Sequence, residues 1–146
     1  MFPKILVPLD FSDYSGRCLE YVKELIDCGC KILEIVLLHV VDDRIVKFTE
    51  EMFEDTIDDR SVVEACRQTA SQKLSEMENK FVNANLKVRT MVRLGIPFST
   101  ILKVAEEVQA SLIILGHRGH NLASELLGSV TEKVSRKAKV PVLLIR

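Results

Sequence analysis

The stretch Lys31-Ile32-Leu33-Glu34-Ile35-Val36-Leu37-Leu38-His39-Val40-Val41 decides the fold. Ile32, Leu33, Ile35, Val36, Leu37 and Leu38 leave too few polar residues for a solvated face, so a strand here must be covered on both sides. Such strands belong to parallel sheets, whose crossover helices lie on both faces. Upstream, Phe2 to Leu9 mixes β-branched and apolar residues and stops at Pro8-Leu9-Asp10, which predicts a first buried strand. Between the two strands, Ser12 reads as the cap of a helix reaching Ile26. There Cys18, Leu19, Val22, Leu25 and Ile26 recur at three- and four-residue steps, the stripe of a helix lying on a sheet. Gly29 ends it.

Downstream, Asp42 to Arg60 is an acidic segment with Glu50, Glu51, Glu54, Asp55, Asp58 and Asp59, read as an exposed excursion with one short helix. Its residues do not choose between a solvated surface, a partner surface and a lid. Ser61 opens a long helix to about Phe81, with Val62, Ala65, Thr69, Leu74, Met77 and Phe81 as inward candidates. Leu86 to Arg93 alternates as a third strand, and Gly95-Ile96-Pro97 turns into a helix from Pro97 to Val108. Leu112 to Leu115 reads as a fourth strand, Gly116 to Gly119 as a loop, Leu126 to Ala138 as a helix and Val140 to Ile145 as a fifth strand.

This alternation predicts an α/β fold, a doubly wound open sheet of five mainly parallel strands with helices on both faces. Because βαβ crossovers are right-handed, ligands in such sheets bind at the carboxyl ends of strands where the winding reverses. That rule nominates Asp10, Val40 and Gly116.

The 146 residues suit a single domain spanning 1–146, burying about two thirds of the unfolded chain's surface. Hydrophobic residues at 47% and charged residues at 28%, with six Gly and four Pro, argue against long low-complexity segments. With 20 basic against 21 acidic residues, the chain has no overall field to draw it onto nucleic acid or anionic lipid. The N-terminal apolar run reaches Asp10 too soon for a signal or a membrane span, and Ile35 to Val41 is also too short. The expected compartment is the cytoplasm, where the four cysteines stay reduced. Cys18 and Cys66 fit helical patterns as small buried residues. Cys28-Gly29-Cys30 is a turn or a metal or redox pair, with no further Cys or His at a ligand spacing to complete a site.

Gly116-His117-Arg118-Gly119, then eight residues, then Gly128-Ser129-Val130-Thr131 has the parts of an anion site. Glycines admit backbone N–H groups to an oxyanion, a helix start favours phosphate, and the hydroxyls of Ser129 and Thr131 can donate. The other reading is a tight turn followed by a capped helix. His117 and His120 beside Arg118 suggest a general base, but no paired carboxylate or activated nucleophile accompanies them. His39, in the buried strand, reads as a satisfied core histidine. Neither a Walker A pattern nor a dinucleotide G-x-G-x-x-G after the first strand is present, which argues against motor-type hydrolysis and against NAD.

Pro8-Leu9-Asp10-Phe11-Ser12, Leu37-Leu38-His39-Val40-Val41-Asp42, Gly95-Ile96-Pro97, the glycine segment and Pro141 to Ile145 together resemble the universal stress protein family over nearly the whole chain. The resemblance implies a Rossmann-like, adenine nucleotide alpha hydrolase-like fold. It implies a regulatory or stress-response module that binds ATP or AMP, with or without Mg²⁺, and acts on a protein partner not named by the sequence. Asp10 and Val40 would hold the nucleoside, with Pro8 and Leu9 also in the nucleotide site. Leu115, Gly116, Arg118, Gly119, Gly128, Ser129, Val130 and Thr131 would surround ribose and phosphates. A carboxylate at a strand end can accept two hydrogen bonds from a ribose or base, although Asp10 as a helix cap is a competing reading. The resemblance also implies a homodimer through Val142 to Ile145, an apolar edge. One departure stands out: eight residues, His120 to Leu127, separate Gly119 from Gly128 where the family has nine. Absorbing the difference around His120-Asn121-Leu122 leaves both glycine clusters in register. A slow ATP hydrolase or phosphotransferase and a nucleotide-free dimeric scaffold are the alternatives.

Overall fold

The computed structural model describes residues 2–52, 59–82, 84–117 and 127–146. In chain order the elements are β1 (Lys4–Pro8), α1 (Asp13–Asp27), β2 (Glu34–Asp42), α2 (Asp43–Met52) and α3 (Asp59–Glu78). A single 3-10 turn (Asn79–Phe81) follows, then β3 (Lys87–Gly95), α4 (Pro97–Glu107), β4 (Leu112–Gly116), α5 (Ser129–Lys137) and β5 (Val142–Ile145). The strands form one five-stranded sheet in the order β3-β2-β1-β4-β5. Every pairing among them is parallel, so the expected α/β sheet is wholly rather than mainly parallel.

Period-two alternation along each strand sends successive side chains to opposite faces. Ile5, Val7, Ile35, Leu37 and Ile114 join Cys18, Leu19 and Val22 of α1 and Leu74 of α3 in one core. Leu6, Val36, Leu38, Ile113 and Leu115 join Ile101, Val104 and Ala105 of α4 and Val134 of α5 in another. This double burial is why Ile35, Val36, Leu37 and Leu38 are all apolar, whereas Leu33, ahead of the strand, is exposed. Each fully buried Leu, Ile or Val here contributes about 1.5–3 kcal/mol relative to leaving it in water.

The short helix expected in the acidic excursion is α2, which follows β2 directly and buries Val46. Local details depart from the sequence reading in two places. In α3 the inward row is Cys66, Ala70, Leu74 and Met77, continuing to Phe81, whereas Ala65 and Thr69 are exposed. Four-residue steps from Cys66 to Leu74 place Ala65 and Thr69 on the neighbouring, solvent-facing rows. Ser12 holds the N-cap position of α1 with extended backbone, but its side chain makes no capping bond. The end of α1 is as expected. Gly29 takes a φ of 84°, and Cys30 donates its N–H to Leu25 O at 3.0 Å, a Schellman closure that a residue with a Cβ would strain.

Candidate functional site

β1 and β4 are neighbours at the centre of the sheet, yet the chain leaves them in opposite directions, towards β2 and towards β5. Crossovers therefore diverge above their carboxyl ends and leave a crevice there. A cleft of about 650 Å³ occupies that place, within the range of small-molecule sites. Pro8, Leu9 and Asp10 line it from β1, Val40 from β2, and Leu115 and Gly116 from β4. Gly128, Ser129, Val130 and Thr131 line it from the start of α5. Arg118, Gly119 and His120 lie outside the described residues.

At the β1 end the backbone is strained. Phe11 has a φ of 64°, a left-handed conformation that costs a bulky residue about 1–3 kcal/mol. Three contacts hold it: the Phe11 N–H donates to Ser15 Oγ at 3.0 Å, its ring stacks on His39 at 4.4 Å between centroids, and Lys73 Nζ lies 4.9 Å from the ring centroid. The sharp turn sets Asp10 at the cleft wall. Its Oδ1 accepts from the Ser12 N–H and from the Ser15 hydroxyl, both at 3.0 Å. Ser15, only 4% exposed, in turn accepts from the Asp10 N–H at 3.1 Å. The Asp10 carboxylate thus closes the turn that leads into α1 while lining the cleft.

His39 is half-buried at the cleft wall rather than deep in the core. Its Nδ1 lies 2.7 Å from Leu9 O. A carbonyl can only accept, so Nδ1 carries the proton in this bond and Nε2 is the ring's basic nitrogen. Burial holds the ring below the ordinary histidine pKa of 6.5, opposed by the Leu9 carbonyl and by Asp10 and reinforced by Lys73. His39 is satisfied, as the sequence suggested, but it also forms part of the site. His117 does not line the cleft among the described residues. Its backbone closes the loop instead, donating N–H to Ile145 O at 2.7 Å and accepting from Gly128 N–H at 3.2 Å.

At the opposite wall, α5 starts at Ser129 with Gly128 as its N-cap. The first N–H groups of a helix have no intrahelical partner and concentrate positive potential, so this end favours an anion. The Thr131 hydroxyl, in a residue 5% exposed, donates to Gly116 O at 2.8 Å. Its proton is thereby committed to the protein, and Thr131 joins the helix start to the end of β4. Ser129 is exposed. Glu132 also lines the cleft and pairs with Arg136, which offsets the charge it brings to the helix start.

The family model for the universal stress protein family matches residues 1–146. The chain belongs to the universal stress protein family. Universal stress protein MJ0577 of Methanocaldococcus jannaschii is 33% identical over 162 residues, covering 100% of this chain and 96% of that protein. The solved structure of hypothetical protein MJ0577 superposes with a TM-score of 0.85 at 34% identity, covering 99% and 96% of the two chains. That of hypothetical protein PH0823 does so with a TM-score of 0.79 at 39% identity, with the same 99% and 96% coverage. Two members of this family with the same fold were solved with nucleotides. One is a complex with cAMP at 21% identity and a TM-score of 0.65, covering 99% and 97%. The other, from Archaeoglobus fulgidus, is a complex with dAMP at 23% and 0.61, covering 98% and 97%. In this universal stress protein the cleft is lined by every described residue that the resemblance assigned to the nucleotide, and His117, the candidate base, is not among them. It also admits Tyr14, Ser15, Leu38, Asp42, Arg44, Pro97 and Ile101. Asp42 and His39 stood inside a quoted motif. Arg44 and Tyr14 carried no signal, because each reaches the cleft from a helix whose placement a strand pattern does not contain.

Proposed function

We propose that the cleft binds an adenine nucleotide, ATP or AMP, and that occupancy alters the surface this universal stress protein offers to a protein partner. The observation that carries the reading is one cleft flanked by the Asp10 carboxylate at the end of β1 and the open start of α5. A nucleoside needs the first feature and a phosphate the second. Pro8, Leu9, Asp10 and Val40 would take the nucleoside. Leu115, Gly116, Gly128, Ser129, Val130 and Thr131 would take ribose and phosphates, with Arg118 and Gly119 completing them. The cAMP and dAMP complexes are properties of proteins whose likeness to this chain is one of fold. They agree with the reading without choosing the nucleotide.

Among the described residues no group of three or more His, Cys, Asp or Glu stands together to hold a metal ion. Mg²⁺ would therefore enter on the phosphate oxygens of ATP. Binding with exchange of bound states needs no catalytic base, so the module reading does not call on His117 or His120. We place the protein in the cytoplasm as a homodimer. β5 is an edge strand whose half-buried Val142 to Ile145 can pair with a second copy. No helix of the described residues is long and apolar enough to cross a membrane.

The test is calorimetric titration with ATP, ADP and AMP, with and without Mg²⁺, beside Asp10→Ala. Micromolar affinity, about -8 kcal/mol, weakened by Asp10→Ala supports the reading. No binding to any of the three overturns it in favour of a dimeric scaffold, and turnover lost on substituting His117 or His120 would make the protein an enzyme.

A further inference from the structure

Arg44 is the one lysine or arginine among the described residues lining the cleft, and its setting is unusual for a phosphate ligand. Asp42, the last residue of β2, accepts from Arg44 N–H and Nε at 3.0 Å each through Oδ1, and from a terminal guanidinium nitrogen at 2.7 Å through Oδ2. The pair is a two-pronged fork closed within the first turn of α2, and it holds the Asp42 carboxyl below its ordinary pKa. Two consequences follow. The charge of Arg44 is paired with that of its neighbour, and one of the two donor edges of the guanidinium, Nε with a terminal nitrogen, is already taken. Its flat face remains, on a side chain 65% exposed. A guanidinium plane stacks on an aromatic ring, and the Asp42 carboxylate fixes the orientation of this one.

Position agrees with chemistry. Arg44 stands beyond the end of β2, two strands away from β4, to which Thr131 ties the start of α5. Neighbouring strands are about 4.8 Å apart, so the two ends of the cleft are separated by roughly 10 Å. That is the reach of a nucleoside from base to 5′ oxygen. A nucleotide with its phosphates on α5 has its base over the end of β2, beside apolar Val40.

The geometry points to Arg44 as the residue that covers the purine base, its guanidinium plane stacked on the ring while Asp42 holds its edge. This rests on the adenine-nucleotide reading above. The experiment is calorimetric titration of adenosine, AMP and ATP, without Mg²⁺, into the wild-type protein, Arg44→Ala and Arg44→Lys, with thermal unfolding to confirm that the variants fold. Stacking on the base predicts that Arg44→Ala weakens all three ligands by one common factor, about tenfold, and that Arg44→Lys, which keeps the charge but not the plane, does not restore them. A loss that is absent for adenosine, grows with phosphate number and is recovered by Arg44→Lys would overturn the inference and make Arg44 a phosphate contact. Unchanged affinities in Arg44→Ala, with the wild type binding normally, would overturn it alone. A wild type that binds none of the three overturns the nucleotide reading and this inference with it.

Discussion

The hydroxyl of Thr131 donates to the carbonyl of Gly116 at 2.8 Å, joining the first turn of α5 to the last residue of β4 across a separation of 15 residues. Thr131 is buried, and the bond fixes where the open N–H groups of the helix stand relative to the strand ends. Thr131→Val keeps the shape and removes the donor, leaving the Gly116 carbonyl without this partner. We expect a loss of about 1–3 kcal/mol in unfolding free energy by urea titration, together with weaker ATP binding. Thr131→Ser should recover most of both. A Val variant as stable as the wild type would show that the bond does not organise the site.

His39 gives stability a pH dependence. Its folded pKa lies below the unfolded value of 6.5, so the unfolded chain binds more protons in the window between the two. Stability from the neutral ring is complete above pH 6.5 and declines as pH falls from there through the folded pKa. The midpoint of urea unfolding should drop between pH 7.5 and 5 in the wild type, and less so in His39→Gln. Equal pH slopes in the two proteins would rule out this role.

The register of α3 can be read by substitution. Leu74 is fully buried against the sheet and Thr69 is exposed. Leu74→Ala should cost about 2–5 kcal/mol through lost contacts and the cavity left behind. Thr69→Ala should stay within about 0.5 kcal/mol of wild type. A reversed ranking in thermal unfolding would mean that the helix is rotated.

The cysteines should divide by exposure. Cys28 and Cys30 are exposed, while Cys18 is buried and its thiol is pushed up to about 12, by burial first and Asp10 second. The thiolate is the reactive form, so iodoacetamide at neutral pH should label Cys28 and Cys30 in the native protein. Cys18 should label only on unfolding. Native labelling of Cys18, located by peptide mass spectrometry, would contradict the packing of α1.

The strands were legible because each is a contiguous apolar run whose meaning depends on its own residues. The Lys31 to Val41 stretch has no polar side to turn outwards, whatever lies around it. In α3, by contrast, Ala65 and Thr69 are small and nearly neutral in hydropathy, so the sequence pattern alone admits more than one inward row. The helix settles on the row of Ala70 and Leu74, both buried, with Leu74 packed in the core against the sheet. α2 was read as part of an acidic excursion because charge outweighed the apolar signal of its buried Val46.

By itself the sequence determined the alternation of strands and helices, the parallel pairing and the strand ends that line the cleft, since local apolar periodicity and chain chirality suffice for these. Only the tertiary structure decided which side chains share the cleft and how each is committed. His39 meets Leu9 across 30 positions, Ser15 takes up the strained Phe11 N–H, and Arg44 arrives on a helix that follows a strand two places from α5's anchor. The Ser15 contact is local but needs the left-handed turn at Phe11, and the others depend on register and on the packing of elements distant in sequence. A local pattern cannot encode them, because the same residues would read identically wherever their helix was laid.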